Sequence, residues 1–444
     1  MVSKPLPMLP ALRLPSSWLE VLDPLGPVFA RSSSFGLFIV LATGLVARTS
    51  RRTVVGMLAG AGMAAVVSFH SACRFFSAHR WDVDRLGLAV ARLVVDRLVE
   101  ADAPLTVAVD DTLLRRWGKK VHHAFWTHEG AAQGPAKLGR GNRWVISGIV
   151  VRLPFTSGPT CLPILFRLWA GKDSASPVVL AGQLLTRLAD AFGDRVVHVV
   201  GDAAYHGMPL VVAGTTITTR LPANAALYGP TPARTGRRGR PAKKGPRLGS
   251  LTELASRARW RTVQALRYGR LDTVQVATIE GLWYGAFADT PGHLVLVRDI
   301  DTSAGYDLAL FTTDTDAAPA TIVARYADRW SIEVANATGK QVLGIGQARN
   351  RMARAVERTV PFEFLIQTLV TYWYATYGYH RDDLLTRQSA EPWYRSKTET
   401  AFEDMLAKLR RALIAARFTT TTPNPLDPNI IRDYQLACAA AAAA

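Results

Sequence analysis

The chain of 444 residues has only three cysteines. Cys73, Cys161 and Cys438 lie far apart with no metal-ligand spacing, which excludes a disulfide scaffold and a zinc finger. Long apolar runs are also missing. The most apolar stretch, Phe35 to Ala47, is interrupted by Gly36, Thr43 and Gly44. It falls short of the roughly 20 residues that a membrane span needs, so it predicts a buried helix and no membrane partner. The first residues lack the charged-then-apolar pattern of a secretory leader, and a cytoplasmic, nucleoid-associated protein is expected. No internal repeat is visible. Acid is scarce: 35 Asp and Glu face 53 Lys and Arg, giving a net charge of +18. A large protein this basic points to a polyanionic partner, most often nucleic acid.

Hydrophobic residues make up 49% and charged residues 20%, enough apolar material for a large interior and, at this length, several domains. Residues 1–102 read as helical, with runs at Phe35 to Val46, Thr53 to Phe69 and Trp81 to Val99. Both a DNA-binding module and a plain helical cap fit this region. Residues 103–222 read as a strand from Leu105 to Val109 ending in Asp110-Asp111, then strands at Trp144 to Leu153 and Leu162 to Trp169. A helix opened by Ser176-Pro177 leads to a strand from Val196 to Val200 ending in Gly201-Asp202, and another from Thr215 to Leu221. Three sequential strands, then a crossover helix to a parallel neighbour, give the α/β arrangement of a ribonuclease-H-like core.

Residues 223–306 look like a β-rich insertion. It opens with the basic run Arg234 to Arg247, followed by strand-like runs at Thr262 to Leu266, Val274 to Ile279, Leu282 to Ala288 and Leu294 to Ile300. Residues 307–378 return to the core through a strand at Leu308 to Thr312, a helix opened by Pro319 and an aromatic helix from Val360 to Tyr377. Residues 379–444 read as a helical C-terminal region, with an amphipathic helix from Lys397 to Arg417 started by a Ser396/Glu399 capping box.

Tyr326, Arg329, Glu333 and Lys340 stand at offsets 0, 3, 7 and 14. On a continuous helix they fall within about 60° of one another. On spacing alone, a solvated face with ordinary ion pairs is the commoner explanation. Asp110 and Asp202, however, sit where apolar strands give out, and a carboxylate there must be solvated, paired or metal-bound. Together with Glu333 they form a minimal scaffold for two Mg²⁺ ions in phosphodiester chemistry.

Val107-Ala-Val-Asp-Asp-Thr112, Val199-Val-Gly-Asp-Ala-Ala-Tyr205 and the block from Tyr326 to Gly344 resemble the three signature blocks of DDE transposases of bacterial insertion sequences. The last block is similar to the Y-x2-R-x3-E-x6-K pattern of one large branch. The resemblance runs from about residue 70 to 380. In that family a β-rich insertion separates the second Asp from the Glu. Here 131 residues do so.

The resemblance implies that Asp110, Asp202 and Glu333 bind the catalytic metals, two Mg²⁺ ions with Mn²⁺ able to substitute. It also implies that Tyr326, Arg329 and Lys340 grip transposon-end DNA. Asp110 is preferred over Asp111 as first ligand because the family block reads Asp-x-Thr, and strand alternation lets only one of the pair face the site. Asn336-Ala337 stands where relatives often carry an aromatic residue, and Gly339 weakens the helix before Lys340. Within the basic run, Arg237, Arg238, Arg240, Lys243 and Lys244 are candidate DNA contacts, and Gly239-Arg240-Pro241 resembles a minor-groove hook. A solvated basic loop fits that run equally well. Arg115, Arg116, Lys119 and Lys120 could hold a DNA strand beside the first Asp. His122, His123, His128 and Glu129 read as a polar loop rather than a metal site, and Trp144 and Trp330 as core.

The expected activity is transposition: binding of terminal inverted repeats, cleavage at the element ends and joining of the 3′-hydroxyls to target DNA by a homodimer. The alternatives are a catalytically silent DNA-binding regulator of the same ancestry and a stand-alone metal-dependent DNA nuclease.

Overall fold

A computed structural model describes residues 12–129, 137–233, 241–303 and 305–418. Five helices come first: α1 (Ser16–Leu22), α2 (Ser32–Ala47), α3 (Val54–Gly60), α4 (Phe69–Ser77) and α5 (Val83–Leu98). The expected helix from Thr53 to Phe69 ends at Gly60, and α4 begins only at Phe69. Gly62 turns the chain with a φ of +70°, and Ser68 caps the restart by accepting from the Ser71 amide at 3.1 Å. Among the described residues no helix is long and apolar enough to cross a membrane.

A ten-stranded mixed sheet follows. Its first strands are β1 (Leu105–Arg115), β2 (Phe125–His128), β3 (Leu138–Arg152) and β4 (Pro159–Trp169). β3 lies antiparallel to β1, β2 and β4. Helix α6 (Pro177–Ala191), capped by Ser176, crosses over to β5 (Val197–Gly201). β5 runs parallel to β1, and β6 (Thr215–Arg220) runs parallel to β5. The order β4-β3-β1-β5-β6 is consistent with the ribonuclease-H-like arrangement expected from the order of strands.

The next segment holds the small hairpin β7 (Leu227–Tyr228) and β8 (Arg247–Gly249), then α7 (Leu251–Arg257), β9 (Arg261–Arg267), β10 (Arg270–Gly281), α8 (Tyr284–Phe287) and β11 (Gly292–Asp299). β12 (Leu308–Thr312) pairs with both β6 and β11. The strands β9 to β11 therefore continue the central sheet as an antiparallel meander. The expected strand from Leu282 to Ala288 is a helical turn instead, which tucks Trp283, Ala286 and Phe287 inward together.

Helices α9 (Pro319–Asp328) and α10 (Trp330–Gln341) follow, then α11 (Ala353–Trp373), α12 (Asp383–Ala390) and α13 (Phe402–Phe418). The capping box at Ser396 does not start the last helix. Asp404 accepts from the Ala401 amide at 2.8 Å and fixes the start at Phe402. Met405, Leu406, Leu409 and Leu413 face inward as their spacing predicts.

Two apolar clusters hold these parts. A small one joins α9 to the meander through Ile322, Val323, Val276, Val297 and Leu310. The large one runs from the N-terminal helices into the sheet through α11. Phe362 at its hub meets Phe38, Phe75 and Phe76 edge to face. The first hundred residues thus share one core with the strands that carry the aspartates.

Candidate active site

Strand β1 does not end at the aspartates. Asp110 and Asp111 lie in its middle, because the antiparallel partner β3 pairs along it from Thr106 to Arg115. The parallel partner β5 pairs only as far as Ala108 opposite Val200. Asp110 therefore lies just past the last parallel rung, and Asp202 directly follows the end of β5. The end of the parallel ladder on β1 and the end of β5 bring the two carboxylates to the same edge, the place where open α/β sheets set their sites.

Alternation along the strand separates Asp110 from Asp111. Asp111 is engaged on both oxygens by the Arg143 guanidinium, at 2.7 and 2.9 Å, and accepts from the Tyr205 hydroxyl at 3.2 Å. Asp110 turns toward α10, where its Oδ2 accepts from Asn336 Nδ2 at 3.4 Å. Among the described residues neither Asp110 nor Asp202 belongs to an ion pair. The Asp202 side chain accepts from the Ala204 amide at 2.9 Å, so it also shapes its own turn.

The helix expected to carry Tyr326, Arg329, Glu333 and Lys340 without interruption is broken at Arg329. The Arg329 amide donates to the Tyr326 carbonyl and the Ile332 amide to the Arg329 carbonyl, both at 3.1 Å. These bonds span three residues and tighten the turn between α9 and α10. The break keeps three of the four together. Arg329 lies over the Tyr326 ring with 5.7 Å to its centroid, and its Nη1 donates to Glu333 Oε1 at 2.7 Å. Trp330, expected in the core, is half exposed beside them.

Burial pushes the Asp110 carboxyl up to about 7, and repulsion from Asp111, Asp202 and Glu333 adds to it. Burial also raises the Tyr326 hydroxyl, with Asp202 contributing. Burial lowers the Lys340 ammonium, opposed first by Glu129 and then by Asp110. Negative charge is thus concentrated around Asp110, with Asn336 as its side-chain hydrogen-bond donor.

The donor chemistry here suits a hard divalent cation. Asp110, Asp202 and Glu333 offer carboxylate oxygens, and Asn336 Oδ1 is buried with no hydrogen-bond partner. As the side chains stand, no three Asp, Glu, His or Cys among the described residues converge closely enough to hold one ion. The Arg329 bond to Glu333 ties one of the three carboxylates to a cation of the protein.

Spacing rules missed Arg143, Tyr205 and the role of Asn336. Arg143 was legible only through register. Val145 stands opposite Asp111, which places Arg143 on the diagonal that long side chains reach. Asn336 lies three residues from Glu333 and so shares its face. Gly339 has a packing role. A Cβ there would sit 2.6 Å from Gln367 Oε1 and 2.8 Å from Ile345 Cδ1, and α10 runs unbroken through it to Gln341. Gly339→Ala is expected to destabilise the protein by about 1–3 kcal/mol through overpacking, despite alanine's better helix propensity. Chemical denaturation checks it, and an unchanged or raised midpoint counts against the close approach of α10 to α11.

Of the basic run, Lys243 and Lys244 are described, while Arg237, Arg238 and Arg240 lie outside the described residues. Lys244 is engaged internally, its Nζ 3.7 Å from the Tyr228 ring centroid and 4.8 Å from that of Tyr284.

Residues 24–281 match the family described as DDE superfamily endonuclease. The match covers more than half of the chain and includes Asp110 and Asp202, while Glu333 lies beyond it. Among curated proteins, none matches the chain.

Proposed function

Because the chain belongs to the DDE superfamily of endonucleases, we propose that it is a transposase of the insertion-sequence type. It binds terminal inverted repeats, cuts the element ends and joins the freed 3′-hydroxyls to target DNA. Asp110, Asp202 and Glu333 hold the metal ions, two Mg²⁺ with Mn²⁺ able to substitute. Divalent ions bound there supply a more acidic attacking oxygen and charge balance for the leaving oxygen.

The observation that carries this reading is the state of Asp110. It is a partly buried carboxyl raised to about 7 among three other carboxylates, just past the end of the β1–β5 parallel ladder and without an ion pair. Such a group costs stability unless a cation meets it. In this reading Arg329 exchanges Glu333 for a DNA phosphate, where its planar fork binds two oxygens at once. The Tyr326 ring beneath Arg329 keeps it aimed, and Lys340 adds a point charge near Asp110. Lys243, Lys244 and the arginines of the basic run add backbone affinity that falls steeply with salt. Pairing two ends calls for a homodimer in the DNA complex.

The test incubates the protein with Mg²⁺ and duplex DNA carrying the inverted repeats that flank its reading frame. Expected are nicks at the repeat ends and joined products, neither of which forms without a divalent ion. The Arg329 bond to Glu333 favours one other reading, a DNA-binding regulator that no longer cuts. Repeat binding without any cleavage under these conditions would select it. Indiscriminate cutting without joining would select a stand-alone nuclease.

A further inference from the structure

A cavity of about 1190 Å³ opens between the far end of β1 with its following loop and the loop joining α10 to α11. Its mouth is basic: Arg51, Arg115, Lys119, Lys120, Arg349 and Arg351 are exposed on it. Its one acid, Glu129, is paired with Arg115 at 3.0 Å. Trp117 stands at the rim with 86% of its surface exposed, the most exposed large hydrophobic side chain among the described residues. Lys340, on the same helix α10 as Glu333, forms part of the wall.

The walls are built rather than loose. The Arg140 guanidinium donates to the carbonyls of Arg116, Gly118 and Lys119 at 3.0 to 3.2 Å, fixing the loop that presents Trp117. The Arg116 guanidinium donates to the carbonyls of Gly346 and Ala348 in the facing wall. The His122 amide donates to the Arg351 carbonyl at 3.0 Å, and the Arg52 amide to Gln347 Oε1 at 2.9 Å. These bonds hold the loop, the N-terminal region and the α10–α11 connection at fixed separation, so little ordering is left for binding to supply.

We propose that this cavity binds a single strand of DNA and that Trp117 stacks on one of its unpaired bases. The charge suits a phosphate backbone. In a duplex the bases already stack on one another, so a separated strand is the form that offers a free base face to Trp117. An exposed indole fixed beside a basic groove offers a face on which any base can stack. Arg115 lies five residues along β1 from Asp110, about 17 Å at 3.3 Å per residue. The stacked base is therefore a few nucleotides from the carboxylates. The cavity would take a strand that has parted from its complement near the cut.

This inference rests on reading the chain as a DNA-acting enzyme, but its test needs no cleavage. The full-length protein in EDTA is titrated into a short single-stranded oligonucleotide carrying a fluorescent adenine analogue, and into the same sequence as a duplex. Expected is quenching of the analogue in the single strand, with affinity about tenfold weaker in Trp117→Ala and largely kept in Trp117→Phe. Lys119→Glu with Arg349→Glu should weaken single-strand binding and flatten its salt dependence. Duplex affinity should stay within about twofold in Trp117→Ala. Unchanged quenching and affinity in Trp117→Ala would overturn the stacking role, and an equal loss for duplex would overturn the preference for a single strand. Failure of metal-dependent cleavage with this binding intact would count against the transposase reading alone.

Discussion

Asp110→Asn is expected to lower metal-dependent DNA cleavage by more than about 100-fold, beyond the range seen for residues that merely support a metal ligand. The substitution keeps the shape and the hydrogen bond to Asn336 while removing the charge. Asp111→Asn should behave differently. It breaks a two-oxygen contact with Arg143 and a bond from Tyr205, leaving a half-buried guanidinium with a neutral partner. Its expected cost is about 1.5–3 kcal/mol of stability, with cleavage by the folded fraction within about tenfold of wild type. Urea denaturation, cleavage of repeat-bearing DNA and calorimetric titration with Mg²⁺ separate the two outcomes. A folded Asp111→Asn protein without Mg²⁺ binding, beside a fully active Asp110→Asn protein, would exchange the two assignments. Glu333→Gln should match Asp110→Asn in activity, since it removes the carboxylate that Arg329 now holds.

The strands were legible wherever an apolar run was bounded by turn residues, as at Val197–Gly201 and Leu308–Thr312. Strand ends were misjudged where a partner extended the pairing. Asp110 and Asp111 look like the end of an apolar strand, yet β3 carries β1 on to Arg115. What ends at Ala108 is the parallel ladder, a long-range property that no local pattern contains. The helix face was legible as spacing but not as geometry. Its break at Arg329 comes from the separate demands of α9, packed on the meander, and α10, packed on β4 and β1. Trp283 and Phe287 belong to a short apolar run, where strand and helical turn share one composition, and burial of both rings with Ala286 decided it. Gly339 was read as a weakness because only propensity is visible in sequence. The side chains of Gln367, Phe364 and Ile345 that crowd a Cβ there become visible once α11 and the loop before it are in place.

The Arg329 contact with Glu333 and the raised Asp110 describe one electrostatic situation from two sides. Four carboxylates lie near one another, and the protein neutralises two of them itself: Arg143 meets Asp111 and Arg329 meets Glu333. Asp110 and Asp202 are left without ion pairs. Asp110, desolvated and repelled by its neighbours, takes the strain as a raised affinity for a proton. An added cation would therefore act where the protein's own cations do not.

Without divalent ions, the stability of the wild-type protein should fall as pH rises through the window from about 4 to about 7, and Asp110→Asn should remove about half of that fall. The sign follows from proton linkage. Asp110 has an ordinary value of 3.8 and a folded value of about 7, so between them the folded state holds a proton that the unfolded state has released. Stability then decreases with pH. The contribution is fully present below the unfolded value and lost once pH passes the folded one. At about 1.4 kcal/mol per pH unit the loss amounts to about 4 kcal/mol. With an unfolding entropy of roughly 2.1 cal/mol/K per residue, that is about 4 °C in melting temperature for 444 residues. The asparagine variant should match wild type near pH 4 and melt about 4 °C higher near pH 8. A decline of comparable size remains in the variant and extends to higher pH, because burial also raises Glu363 from 4.5 to about 8. Added Mg²⁺ should close the gap near pH 8 by stabilising wild type and leaving Asp110→Asn unmoved, since ligand binding to the folded state raises its stability by mass action. Scanning calorimetry across the pH range, with EDTA and with Mg²⁺, reads all three effects. A wild-type melting temperature that rises from pH 4 to 8 in EDTA together with the variant's would mean that Asp110 is ionised and satisfied within the folded protein. It would then have no unmet demand for a cation.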